Sequence, residues 1–144
     1  MKKLIFILSL LITTAGVAQE EWGDMQKNKL TMKELAPIWP GCENGSAPQR
    51  DNCFKQKLAQ HIAKNFKYPA DAYKNNVQGR VVVTFIIDEN GKPVIKNVSG
   101  GTEVLQKEAQ RNIMSIPQMA KPGMMGGKPR AIEYTVPITF KTGK

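Results

Sequence analysis

The chain has 144 residues, 21 Lys and Arg against 12 Asp and Glu, and a formal net charge of +9, with a single histidine and two cysteines. This length suits one domain behind a leader, and so few histidines and cysteines exclude a zinc set and give no basis for a cofactor. The positive balance favours acidic partners such as anionic lipid head groups or acidic peptides; without an aromatic-plus-arginine recognition motif, nucleic acid is not an expected partner.

Residues 1–18 open with Lys2 and Lys3, continue through an apolar run from Leu4 to Ile12, and end on the small residues Gly16 and Ala18. These are the three parts of a secretory signal peptide, cut after Ala18. Read as a membrane anchor the stretch is too short, about fifteen residues broken by Ser9, Thr13 and Thr14, against the roughly twenty that a spanning helix needs. No later segment is apolar enough to span. Cleavage would place the chain in the periplasm with its charge lowered to +7.

Residues 19–37 are polar, with Trp22, Met25 and Leu30 scattered without period, and read as a flexible tether. Residues 38–53 hold Pro40, Gly41, Gly45 and Pro48, and read as a loop that excludes helix and central strand. Cys42 and Cys53 fall within it. In an oxidising compartment a pair without CxxC spacing is most simply a structural disulfide, contributing up to about 3 kcal/mol for a loop of this size.

From residue 54 onward the pattern is that of a folded domain. After Asp51 as N-cap, Phe54, Leu58, Ile62 and Phe66 recur every four residues and predict an amphipathic helix over 53–67. His61 lies beside that stripe as a half-buried packing residue, since nothing near it supplies a nucleophile. The helix stops before Pro69, which opens a second short helix as its first-turn residue.

Arg80 to Gly91 is the organising stretch. Val81, Val83, Phe85 and Ile87 share one face and Val82, Thr84 and Ile86 the other, so this strand belongs in the middle of a sheet. Asn90-Gly91 signals a tight hairpin turn, and Pro93 to Ser99 is the returning strand. Thr102 caps a helix lined by Leu105, Ala109, Ile113 and Ile116, which Pro117 ends. Lys121 to Arg130 is a loop whose glycines match no phosphate-binding spacing.

The last strand, Ile132 to Phe140, alternates apolar and polar residues, and Pro137 within it cannot donate to a ladder. It therefore lies at a sheet edge with the proline's missing N–H pointing outward. Thr135 and Thr139 would then offer both backbone groups to an incoming chain, and Pro137 its carbonyl alone. The element order predicts an α+β fold, a three-stranded antiparallel sheet with helices packed on one face, ordered return strand, central strand, last strand.

Tyr68-Pro69, Ala72, Gly79 with Val81, Val83 and Phe85, the turn at Gly91, Leu105 to Ala109, Pro122-Gly123, Gly127-Lys128-Pro129 and Pro137 to Phe140 together resemble the TonB C-terminal domain family. The resemblance covers about residues 50 to 141. It implies a periplasmic domain that takes up the TonB-box segment of outer-membrane receptors as an added strand, with Tyr134, Thr135, Val136, Pro137, Ile138, Thr139 and Phe140 as the binding strand and Tyr68 and Pro69 beside it. Asn65 or Lys67 stands where family members carry a glutamine.

With neither an anchor after cleavage nor a long Pro-rich spacer, the expected protein is a stand-alone binding module, not an enzyme. One histidine, dispersed carboxylates and no GxS elbow leave no catalytic constellation. An open edge also makes a homodimer credible. The alternative is an envelope-associated module whose lysine-rich surface binds lipopolysaccharide or peptidoglycan, with steep salt dependence.

Overall fold

Nine residues form the central strand β1, Gly79–Ile87, and those on its first face, Val81, Val83, Phe85 and Ile87, are fully buried. Those on its second face, Val82, Thr84 and Ile86, are half-buried. A computed structural model describes residues 34–143; the signal peptide and residues 19–33 of the tether lie outside the described residues. β2 (Pro93–Ser99) and the final strand β5 (Ile132–Phe140) flank β1, both antiparallel, in the expected order β2-β1-β5. All nine residues of β5 pair without a break against β1, from Gly79 opposite Phe140 to Ile87 opposite Ile132. β2 is less regular: Thr84 faces Asn97 but Phe85 faces Ile95, leaving Lys96 as an extra residue in a bulge.

The first helix differs from expectation at both ends. α1 runs Ala47–Lys64, and its N-cap is Ser46, not Asp51. Ser46 and Gln49 form a reciprocal capping box, each side chain accepting from the other's backbone N–H. Pro48 sits in the first turn, where its absent donor would have had no helical partner, so this proline starts a helix instead of breaking one. Cys53 is therefore helical, and its disulfide to Cys42, with Cα atoms 5.8 Å apart, ties the preceding loop to α1.

That loop is less free than its composition suggests. Leu35 and Met124 exchange backbone hydrogen bonds, and Ile38 does the same with Lys121 and Ala120. Pro37 and Trp39 are buried, with Trp39 packed edge-on against Phe54 at 5.7 Å. The tether expected to reach residue 37 thus ends before Leu35. Its folded end was hidden because its partners lie more than eighty residues away in sequence.

The short helix α2 (Ala70–Lys74) has Pro69 as its N-cap residue, one position outside the expected first turn. The β1–β2 turn is longer than a two-residue hairpin: Asp88 accepts from Gly91 on its carbonyl and from Asn90 and Lys92 on its side chain. Gly91 alone takes the left-handed conformation, with φ 79°, as in a three-residue loop closed by a glycine bulge. α3 (Glu103–Met114) begins at Thr102, whose side chain accepts from Leu105 N–H as expected. Ile116 lies past its end, yet is buried. Within the expected loop 121–130, β3 (Met124–Met125) and β4 (Lys128–Pro129) form a minimal hairpin.

Candidate functional site

The apolar stripe of α1 and the inner face of β5 advance together. Phe54 stacks on Tyr134 with ring centroids 4.8 Å apart, and Phe66 meets Phe140 at 5.1 Å. From Phe54 the helix rises about 15 Å to its end at Lys64, with Phe66 two residues beyond, while six residues of strand advance about 20 Å, so the two elements run side by side in the same direction. Four helical residues match two strand residues all along the contact. Leu58 and Ile62 accordingly fall level with Val136 and Ile138.

β5 is an edge strand: among the described residues no strand pairs with its outer side. Pro137 lies opposite Val82. Lacking an N–H, it cannot belong to a pair that exchanges two hydrogen bonds, so its backbone faces outward, and Glu133, Thr135 and Thr139 face outward with it. Their side chains are exposed on the open face of the sheet, where the Thr135 and Thr84 hydroxyls approach to 3.2 Å. Thr135 and Thr139 present both backbone groups, and Pro137 its carbonyl.

Beside this edge lies an open trough of about 630 Å³, walled by Val136 to Thr139 on one side and by Leu58, Ala59, Ile62 and Ala63 of α1 on the other. Ala59 and Ala63 are exposed and directly follow the stripe residues Leu58 and Ile62. Their small side chains keep the trough open. A second hollow of about 530 Å³ continues along the strand at Ile132 to Tyr134, between Asp51, Lys55 and Glu34. Burial, then the charges of Asp51 and Glu34, raise the titration of the Tyr134 hydroxyl well above its ordinary range.

Of the site residues expected from sequence, Tyr134 to Phe140 thus share one edge. Tyr68 and Pro69 do not reach it. The Tyr68 hydroxyl donates to the Val77 carbonyl, and its ring meets Phe140 at 5.5 Å on the inner side of the sheet. Pro69 lines a separate hollow with Thr102 and Val104. Sequence reasoning missed the α1 flank, Lys55, Ala59 and Ala63, whose signal was a second four-residue repeat one position after the apolar stripe.

His61 is half-buried and ties two helices together. Nδ1 lies 3.2 Å from the Asn65 side-chain amide and accepts from it, which leaves Nε2 protonated to donate to the Asn112 carbonyl at 3.1 Å, with Ser115 Oγ at 3.0 Å. Among the described residues no group of His, Cys, Asp and Glu is placed to hold a metal ion, and no helix is long and apolar enough to cross a membrane.

Solution NMR structures of the C-terminal domain of Helicobacter pylori TonB are similar to this chain at 22% identity. One aligns over 69% of this chain and 85% of its own, with a TM-score of 0.47; a shorter version aligns over 63% and 96%, with a TM-score of 0.45. No curated protein sequence matches the chain. The family model for the Gram-negative bacterial TonB protein C-terminal matches residues 64–142, which include β1, β2 and all of β5 and begin at the last residue of α1. With more than half of its length matched, the chain belongs to the TonB C-terminal domain family.

Proposed function

We propose that the chain is a periplasmic protein-binding module of TonB-dependent transport that adds the TonB-box segment of outer-membrane receptors as a fourth strand on β5. The family is one of non-enzymatic periplasmic modules that interact with outer-membrane receptors. The observation that carries the reading is the outer edge of β5, a strand held straight by nine consecutive pairs to β1, unpaired on its outer side among the described residues, and lying beside an apolar trough. An extended chain satisfies such an edge in a way that neither a helix nor a small ligand does.

Magnitudes support side-chain contacts as well as backbone pairing. Four to six added hydrogen bonds at about 0.5 to 1.5 kcal/mol net must first offset the ordering of a flexible peptide. Micromolar binding needs about 8 kcal/mol, and burying two bulky aliphatic side chains adds about 1.5 to 3 kcal/mol each. The trough is where that burial would occur.

The test is an amide NMR titration of the chain with TonB-box peptides at low and high salt, against a scrambled control. Shifts at Thr135, Thr139 and their β1 partners that survive salt are the expected result. Equal binding of the scrambled peptide, or shifts spread over lysines and abolished by salt, would refute the reading and favour adhesion to an anionic envelope polymer.

A further inference from the structure

The tripeptide Glu-Asn-Gly occurs twice in the chain, at 43–45 and at 89–91. An asparagine followed by glycine is open to a reaction of its own backbone, because glycine has no Cβ to shield its nitrogen. That nitrogen attacks the asparagine side-chain carbonyl carbon: the N–Cγ bond forms, the Cγ–Nδ2 bond breaks, and ammonia leaves with the nitrogen's proton. Water then opens the succinimide ring at either carbonyl, giving aspartate or isoaspartate. Both copies have the same local sequence, so any difference between them comes from the fold.

At 89–91 the fold holds the reacting groups apart. Gly91 N–H donates to the Asp88 carbonyl at 2.9 Å, Asn90 N–H to the Asp88 carboxylate at 2.9 Å, and the Asn90 carbonyl accepts from the Gln118 side chain at 2.9 Å. Gly91 is also buried, and its carbonyl accepts from Met119 N–H at 2.8 Å. Attack there requires the turn to open. At 43–45 the attacking nitrogen is unengaged. Asn44 and Gly45 are exposed, and Gly45 N–H donates to no group among the described residues. The surrounding hydrogen bonds run from Gly41 N–H to the Glu43 carboxylate, from Ser46 N–H to the Gln49 side chain, and from Arg50 to the Gly45 carbonyl. They anchor both flanks and leave the bond between Asn44 and Gly45 free to react.

We propose that Asn44 is a deamidation site of the native protein, and that Asn90, in the same tripeptide, is protected by its turn. Each event replaces a neutral amide with a carboxylate just ahead of the Ser46 cap. The first turn of α1 carries no acidic residue, so the aspartate product supplies an anion at the positive end of that helix. The isoaspartate product instead adds an atom to the backbone between Cys42 and Cys53, inside the ring that their disulfide closes.

The test incubates the whole chain, disulfide intact, in mildly alkaline buffer beside a reduced and denatured sample, until the denatured sample has converted half of its Asn44. Tryptic peptides 34–50 and 81–96 carry the two asparagines separately, and mass spectrometry reads each one. In denaturant the two sites should react alike. In the native chain Asn44 should still convert readily, whereas Asn90, reacting only through local opening, should lag by about ten-fold or more. Incubation in heavy-oxygen water should label the product, and isoaspartyl methyltransferase should methylate part of peptide 34–50. Asn44→Gln should abolish the mass change in that peptide without disturbing the fold, since the side chain is exposed. An unchanged Asn44 in the native chain, or a native Asn90 that reacts as fast as Asn44, would overturn the proposal.

Discussion

Tyr134 joins the core to the binding edge: its ring stacks on Phe54 and Phe85, while its hydroxyl lies near Asp51 and Glu34. Its titration is raised in the folded state, so the fold favours the protonated phenol. The resulting stability is fully present below the unfolded value near pH 10 and is lost as pH rises from there toward the folded value. Chemical unfolding from pH 8 to 11 should show this loss, and Tyr134→Phe should remove much of it. Gly100 is a sharper constraint. Its φ is +80° and a Cβ would lie 2.3 Å from the Arg80 carbonyl oxygen, so Gly100→Ala should cost about 1 to 3 kcal/mol in denaturant melts.

Among the elements, β5 and α1 respond to different changes. Pro137→Thr would restore the missing outward donor and complete the edge, so it should tighten peptide binding and promote self-association by sedimentation. Removing the Ser46 hydroxyl should cost about 1 kcal/mol by opening the capping box. β1 and β5 were legible because a sheet buried on one face imposes period two, and Pro137 alone assigned β5 to an edge. α1 was legible only along its stripe. Residues 47–52 carry no apolar period, and Pro48 at the second helical position has the same letter as a breaker, so the start of the helix was misplaced. The α1 wall of the trough was not legible either, because exposed alanines acquire meaning only once the helix is known to run alongside β5.

At the scale of the molecule, the Cys42–Cys53 link holds the segment that carries Trp39 against the helix that walls the trough. Replacing both cysteines with serine should lower stability by about 2 to 3 kcal/mol in thermal melts, with hydrogen exchange rising first in α1. The two sides of the sheet differ in a way that bears on self-association. β2 is interrupted by the bulge at Lys96, while β5 is unbroken. Among the described residues the straight edge is on one side of the sheet alone, so association through β5 would close at a two-fold pair. Each pair would also use up the surface a ligand needs, which makes protein concentration itself a competitor of the ligand.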